Sequence, residues 1–246
     1  MKIRLFFLIA SASLAMAQEQ AAMVSVVAIG STPKSVVKWD ADGQNEYVLA
    51  EPKALPPSNL HVKVAKDEAS KFQPFTLALN IPTPPVLAAA AGLPLYQGAA
   101  NGQPAADAAP LLVVPVAAGV SRQVVMMYRK DPAADWDKPE YFPVNLEDPR
   151  FPAASIGFVN LSGGPVRIEL PPAKGAMSLG HRQLVSAKAP AGAATLNYKI
   201  TAPAAGNKLE PVAFTGLRAS SSRQVVVIYK SNERKTVCSS FVLAGD

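Results

Sequence analysis

The stretch Ser121–Arg129 reads SRQVVMMYR, and it returns 101 positions later as SRQVVVIYK at Ser222–Lys230. In both copies a Ser-Arg-Gln triplet precedes a short apolar run that ends in tyrosine. Such a run, bounded by polar residues, is typical of a central strand in a β-sandwich. Because self-similarity at a fixed spacing marks a duplicated structural unit, the two stretches predict two copies of one β-fold.

The similarity continues on both sides of this block, in the same order in each copy. The matches imply that the first copy holds about 35 extra residues, an Ala/Pro-rich insertion at about 66–109. The stretch 82–110 has few large apolar residues, which predicts a long surface loop or a partly disordered segment. The matched pairs are Pro110–Lys130 with Pro211–Ser231, Phe142 with Phe241, Leu60–Val64 with Leu196–Ile200, and Ser25–Val36 with Ser155–Val166.

The spacing of strands and turns predicts an all-β protein. The 23 prolines disfavour long helices, because proline is costly inside a helix. Many short strands at close spacing favour two tandem immunoglobulin-like β-sandwich domains. The predicted domains are 18–148 and 153–246, joined by a linker at 149–152 that two prolines stiffen. If the repeat reflects two folded units, residues 153–246 expressed alone are expected to unfold cooperatively.

The first seventeen residues have the order of a secretory signal peptide. Lys2 and Arg4 precede the apolar run Leu5–Leu14, and Ala15–Ala17 has the small-x-small pattern of a cleavage site. The apolar run is too short to cross a bilayer. We therefore expect a segment 1–17 that is removed, a mature chain that begins at Gln18, and an exported protein of the periplasm or cell exterior, without a membrane span.

The mature chain contains one cysteine and one glycosylation sequon. Because Cys238 is the single cysteine of the sequence, an intramolecular disulfide is excluded. Its position in an apolar strand favours a small packed side chain over an intermolecular disulfide. Asn160 begins the sequon Asn-Leu-Ser, which is meaningful only where the host glycosylates exported proteins. Stability must therefore come from the burial of apolar side chains rather than from covalent cross-links.

Charge is distributed unevenly between the two copies. Residues 18–152 hold 11 basic and 14 acidic side chains, whereas residues 153–246 hold 11 basic and 4 acidic side chains. Opposite net charge on two copies of one fold suggests complementary surfaces, although two independently solvated surfaces would give the same counts. The basic residues are scattered rather than interleaved with aromatic residues, so nucleic acid is not predicted as a partner.

The segment 131–141, which reads DPAADWDKPEY, is the best local candidate for a ligand site. Its carboxylates can offer oxygen ligands to calcium, although the spacing is not that of an EF-hand and Lys138 intrudes. Its aromatic residues, together with Tyr96, can stack on a sugar or on a partner, unless Trp136 instead folds back over the core. The candidate binding residues are Trp136, Tyr141 and Tyr96, and the candidate metal ligands are Asp131, Asp135, Asp137 and Glu140.

Four repeated residues have a structural interpretation. Arg122 and Arg223 each begin a strand, where a guanidinium can cap loop carbonyls. Tyr128 and Tyr229 each end the same strand, where the hydroxyls can reach the sandwich rim. A feature retained in both copies is expected to serve the fold rather than a reaction.

No catalytic motif is found along the chain. It lacks G-x-S-x-G, H-E-x-x-H and a glycine-rich phosphate loop, and it contains two histidines. These observations favour a non-catalytic structural or protein-interaction protein without a cofactor. Two alternatives stay open. One is a carbohydrate-binding module that uses exposed aromatic residues, and the other is a hydrolase with carboxylates from separate strands.

Overall fold

The computed structural model describes residues 21–39, 42, 44–49, 52–66, 69–99, 102–171, 175–190, 193–203, 208–218 and 221–243. The predicted signal peptide at 1–17 lies outside these residues. The fold is all-β, as predicted. In the described part of the chain no helix is long and apolar enough to cross a membrane.

The first half contains ten described strands and one short 3-10 turn at Pro52–Ala54. The strands are β1 (Ala22–Ile29), β2 (Ser35–Trp39), β3 (Asn45–Leu49), β4 (Leu60–Lys66), β5 (Ala69–Phe75), β6 (Val86–Ala88), β7 (Leu93–Gln97), β8 (Leu112–Val114), β9 (Arg122–Tyr128) and β10 (Glu140–Asn145).

The second half contains eight described strands. They are β11 (Ile156–Asn160), β12 (Val166–Glu169), β13 (Ala176–Leu179), β14 (Gln183–Ala187), β15 (Thr195–Pro203), β16 (Leu209–Arg218), β17 (Gln224–Lys230) and β18 (Thr236–Val242).

Each half is a sandwich of two four-stranded sheets. The first outer sheet has the order β5-β4-β7-β8, and the first inner sheet has the order β10-β9-β1-β6. The second inner sheet is β14-β11-β17-β18, and the second outer sheet is β13-β12-β15-β16. In each inner sheet the two central strands are parallel, β1 with β9 and β11 with β17.

Three hydrophobic cores lie between these four sheets. The first core joins the first outer and inner sheets, and the third joins the second inner and outer sheets. The middle core joins the two inner sheets, so that the halves pack face to face. Its buried side chains come from both halves and include Val27, Met126, Val159, Val227 and Phe241.

The repeated apolar runs are the central strands of this arrangement. In β17, Val225 and Val227 point into the middle core, whereas Val226 and Ile228 point into the third core. In β9, Met126 points into the middle core and its neighbours into the first core. Because successive side chains of a strand point to opposite faces, a strand covered on both faces is apolar at every position.

The two halves repeat one strand order. β1 and β11 occupy the same place in their inner sheets, and β4 to β10 correspond in order to β12 to β18. The hairpin β2–β3 has no counterpart in the described second half and forms its own two-stranded sheet. The extra chain of the first half therefore lies mainly between its first and second core strands, at about residues 30–59.

This placement differs from the insertion predicted at about 66–109. That segment supplies β5, β6 and β7, which have counterparts in β13, β14 and β15. The stretch 82–110 contributes Ala88, Leu93 and Leu95 to the first core. The prediction of a surface loop was wrong there, because a few well-spaced apolar side chains between prolines are enough to form two short strands.

The connection between the halves is part of the fold. Phe151 is buried in the middle core, and its ring lies against Gly157, where a Cβ atom would approach within 2.9 Å. Arg223 donates hydrogen bonds from Nε to the Phe151 carbonyl and from Nη2 to the Leu146 carbonyl, both at 2.8 Å. The predicted linker at 149–152 is therefore fixed by packing and hydrogen bonds rather than being a solvated spacer.

The halves meet mainly through apolar contact. The middle core is closed by side chains from both inner sheets, including Val124, Val144 and Tyr229. Ion pairs at its margin, such as Arg234 with Asp131 at 3.7 Å, are exposed and contribute about 0–1 kcal/mol each. Charge attraction, which the sequence suggested, is thus secondary to the burial of apolar surface.

Candidate functional site

A cavity of about 470 Å³ lies between the halves, at the ends of the central parallel strands. β1 and β9 reach it from the first half, and β11 and β17 reach it from the second half. Cavities between packed units are common ligand sites. Its lining consists of Ile29, Gly30, Tyr128, Arg129, Lys130, Pro132, Glu140, Leu161, Ser162, Gly163, His181, Arg182, Tyr229 and Lys230.

A hydrogen-bond network across the interface forms one wall of this cavity. The Tyr128 hydroxyl donates to Glu140 Oε2 at 2.7 Å. Arg182, from the second half, donates to the Tyr128 hydroxyl at 2.9 Å, to Glu140 Oε2 at 3.3 Å and to the Tyr141 carbonyl at 2.8 Å. The network therefore holds a strand-end tyrosine, a carboxylate and a guanidinium in fixed positions.

The protonation states in this network follow from burial and hydrogen bonding. Burial, reinforced by the hydrogen bond to Glu140, raises the pKa of Tyr128 to about 12. The hydrogen bond from Tyr128 is the main cause that lowers the pKa of Glu140, and Lys130 and Arg182 lower it further. At neutral pH, Tyr128 is therefore a neutral donor and Glu140 is a charged acceptor.

Two further contacts fix the cavity from the other side. The Tyr229 hydroxyl donates to the Gly30 carbonyl at 3.1 Å, and Arg129 Nη2 donates to Asn232 Oδ1 at 2.9 Å. Arg182 has a φ of 57°, an uncommon conformation for a residue other than glycine. The turn between β13 and β14 thus places the guanidinium of Arg182 against the first half.

The cavity lining is strongly cationic. Among the described lining residues, Arg129, Lys130, Arg182 and Lys230 are basic, and Glu140 is the one carboxylate. A concave surface with one sign of charge concentrates ions of the opposite sign. The arrangement is therefore suited to an anion rather than to a metal ion.

The β2–β3 hairpin carries a second feature. Val37 pairs with Tyr47, and Trp39 pairs with Asn45, so these side chains share one face of the hairpin. Trp39 is 70% exposed and Tyr47 is 73% exposed. We call this the aromatic face; it consists of Val37, Trp39, Tyr47 and Leu49, all of which are exposed.

The predicted aromatic ligand residues do not form a common surface. Trp136 is only 4% exposed, and its Nε1 donates to the Ala54 carbonyl at 3.2 Å. It closes the first core, as the alternative interpretation of a folded-back tryptophan predicted. Tyr141 is half-buried against the same core, and Tyr96 makes an edge contact with Phe72 in the outer sheet.

The predicted calcium ligands point to separate partners. Asp131 accepts a hydrogen bond from the backbone of Ala133, and Asp135 pairs with Lys53 at 3.1 Å. Glu140 belongs to the network with Tyr128. Within the described residues, no group of three histidine, cysteine, aspartate or glutamate side chains can hold a metal ion. A calcium site formed by Asp131, Asp135, Asp137 and Glu140 is therefore not supported.

The four repeated residues differ in their roles. Arg223 caps the carbonyls of Phe151 and Leu146. Arg122 begins β9 and is half-buried. Tyr128 and Tyr229 end the equivalent strands β9 and β17, and both hydroxyls make hydrogen bonds across the interface between the halves. The repeat therefore places two tyrosines at the cavity, where the sequence analysis predicted only that their hydroxyls reach the rim of a sandwich.

Asn160 is not accessible for glycosylation in the folded protein. Its side chain is fully buried, and Nδ2 donates to the carbonyls of Gly164 at 2.7 Å and Leu179 at 2.8 Å. Oδ1 accepts from the backbone N–H of Ser162 at 3.0 Å and from its hydroxyl at 2.7 Å. The sequon is therefore a turn-stabilising asparagine.

Replacing Asn160 with alanine is expected to lower the free energy of unfolding by about 2–4 kcal/mol. The backbone groups of Ser162, Gly164 and Leu179 would lose a partner that water cannot easily replace. Denaturant titration measures the change, and Asn197→Ala, at an exposed position of β15, is the control. An equal, small effect of both substitutions would contradict the structural role of Asn160.

The sequence analysis did not single out the basic residues of the cavity or any residue of the aromatic face. Lys130 and Lys230 follow or end the repeated strands, so the charge at the end of each copy was the available signal. Trp39 and Tyr47 lie in a segment with no counterpart among the described strands of the second copy.

No known protein-family model matches the chain, and no curated protein matches it.

Proposed function

We propose that this is an exported, non-catalytic interaction protein of the periplasm or cell surface, built from two duplicated immunoglobulin-like modules. Its contact region is the β2–β3 hairpin, which binds an extended segment of a partner polypeptide. The observation that carries this proposal is the exposed aromatic face on a hairpin of the first half that has no counterpart among the described residues of the second half.

The composition of the aromatic face supports protein recognition. Trp39 and Tyr47 are the two most exposed of the large apolar side chains in the described chain. Exposed apolar clusters mark interaction sites more often than isolated apolar residues do. Tryptophan and tyrosine are also enriched among the residues that dominate binding energy at protein interfaces.

The hairpin also offers unpaired strand edges. In the described residues, β2 and β3 form a sheet of two strands, and the side chains on both faces are mostly exposed. An isolated two-stranded hairpin is marginally stable, and a third strand would complete it. A partner segment added at one edge gains main-chain hydrogen bonds, and its side chains can pack against Trp39 and Tyr47.

The segment that follows the hairpin is anchored to the sandwich. Ala54 is buried and accepts the hydrogen bond from Trp136. Lys53 pairs with Asp135, and the Arg129 guanidinium lies 5.4 Å from the centre of the Trp136 ring. These contacts hold the chain beyond β3 against the body while the aromatic face stays exposed.

A carbohydrate ligand is the second candidate. Trp39 and Tyr47 are diagonal neighbours on one face of the hairpin, a spacing at which two rings can lie side by side. This arrangement transfers the predicted carbohydrate-binding role from Trp136, Tyr141 and Tyr96 to two different residues. The same variants test both candidates.

Replacing both Trp39 and Tyr47 with serine is expected to weaken the affinity for the partner by at least about tenfold. A photo-crosslinking residue at Val37, in the protein exported by its own host, should become linked to a specific polypeptide. The matched control is Lys38→Ser with Glu46→Ser, a pair on the opposite face of the same strands.

The outcome separates the candidates. Crosslinking to a polypeptide that depends on Trp39 and Tyr47 supports protein binding. Binding to an oligosaccharide array with the same dependence supports the carbohydrate candidate instead. Trp39 fluorescence gives a second readout, because a bound partner should protect Trp39 from acrylamide while buried Trp136 stays unchanged. If the paired serine variant retains every interaction, the hairpin is not the contact region.

A further inference from the structure

We infer that the cavity between the halves binds a small organic anion with a doubly charged head group, a phosphate ester or a dicarboxylate. Lys130 and Lys230 contact the head group, and the apolar wall of the cavity contacts the body of the ligand. This inference concerns a different surface from the β2–β3 hairpin and does not depend on the proposed function.

The first argument for this inference is the net charge of the cavity lining. Lys130 is exposed and lies 3.9 Å from Glu140 Oε1, while Arg182 contacts the other oxygen, Oε2, at 3.3 Å. Lys230 donates to the neutral hydroxyl of Thr236 at 2.8 Å. Together with Arg129 and Arg182, these lysines make four basic side chains in the described lining against the one carboxylate of Glu140, which leaves an excess of three positive charges. An anion with two charges matches that excess better than a monoanion does.

The second argument is the position of the two lysines in different halves of the protein. Lys130 comes from the first half and Lys230 from the second, and both lie at the ends of the repeated strands β9 and β17. A ligand between them contacts both halves at once. The surrounding contacts, including Tyr229 with Gly30 and Arg182 with Tyr128, fix the walls before binding, which lowers the entropy cost of association.

The third argument is the size and polarity of the cavity. A volume of about 470 Å³ is within the range of small-molecule sites and exceeds that of a bare inorganic ion. Ile29, Leu161 and Pro132 line the cavity beside the cationic groups. The site therefore combines an apolar wall with a charged end, which fits an organic body that carries an anionic head.

The test is isothermal titration calorimetry of the full mature chain at constant ionic strength. The probes are phenyl phosphate, phthalate, inorganic phosphate and the neutral benzyl alcohol. We expect saturable binding of phenyl phosphate or phthalate, weaker binding of inorganic phosphate, and none of benzyl alcohol. The arm that binds more tightly identifies the head group as phosphate or dicarboxylate.

Substitutions that are expected to change the affinity in opposite directions make the test specific. Lys130→Gln and Lys230→Gln should each weaken binding about tenfold, because each removes a charge-assisted hydrogen bond. Glu140→Gln should strengthen it about three- to tenfold, because it removes the one lining carboxylate while the amide oxygen still accepts from Tyr128. A purely structural role of Glu140 would not produce tighter binding.

Lys208→Gln, an exposed lysine of the second half outside the cavity lining, is the control for general electrostatic attraction. Thermal unfolding of each variant verifies that the fold is retained. Equal weakening by Lys208→Gln and the two cavity lysines would overturn the inference, since the attraction would then be nonspecific. The absence of saturable binding by both organic anions would also overturn it.

Discussion

Replacing Val227 with aspartate is expected to lower the free energy of unfolding by about 4 kcal/mol or more. Val227 lies in β17, fully buried in the middle core, where both neighbouring layers are apolar. A carboxylate there would be surrounded by the apolar side chains of the middle core, so it must either be buried at a high desolvation cost or force the inner sheets apart. Denaturant titration followed by circular dichroism measures the loss.

Val242→Asp is the matched control for this substitution. Val242 lies in β18 of the same inner sheet, but its side chain is more than half exposed. The control is expected to cost about 1 kcal/mol or less, which is the scale of strand propensity alone. Similar losses for Val227→Asp and Val242→Asp would show that the middle core contributes little to stability.

Separating the chain into 18–148 and 153–246 is expected to expose the middle core and to remove cooperative folding from the shorter fragment. Val225, Tyr229 and Phe241 would then lose their partners from the first half. This expectation replaces the sequence-based one, in which residues 153–246 fold alone. Binding of a hydrophobic dye and a poorly dispersed amide spectrum of the fragment 153–246 would confirm it.

Mixing the two fragments gives the decisive comparison. If burial of apolar surface drives association, the mixture should regain a cooperative transition, and high salt should not abolish it. If opposite net charge drives association, the complex should form only at low salt. A fragment 153–246 that is monomeric, dye-free and cooperatively folded would contradict the role of the middle core.

The apolar runs in β9 and β17 were sufficient to predict an all-β fold and a duplication. Continuous apolar sequence, rather than alternation, also indicates strands with both faces buried. The runs could not show what covers each face. The second face of β17 is covered by β9 of the other half, and such a contact between distant segments leaves no local pattern.

The detailed correspondence between the copies also needed the structure. Phe142 was matched with Phe241, but strand pairing places Phe142 opposite Met126 and Phe241 opposite Val225. The repeat makes Val124 equivalent to Val225, and Val124 pairs with Val144. Phe241, which pairs with Val225, therefore corresponds to Val144 rather than to Phe142. The connections differ in length, so matching by residue type alone could not find the register.

The candidate sites were the least predictable part. Trp136 belongs to a charged loop in the sequence, yet a hydrogen bond to Ala54 and the first core bury it. Lys130 and Lys230 are about 100 positions apart in the sequence, and they line one cavity because the two inner sheets pack face to face.

The sequence by itself determined the β-class, the duplication, and the inner strands, because strand periodicity and apolar composition are local properties of the chain. Only the tertiary structure decided that the duplicated halves share a core, that the connection at Phe151 is buried, and that Trp39 and Tyr47 stay exposed. These features depend on which surfaces bury one another, and that choice is made by the packing of distant segments.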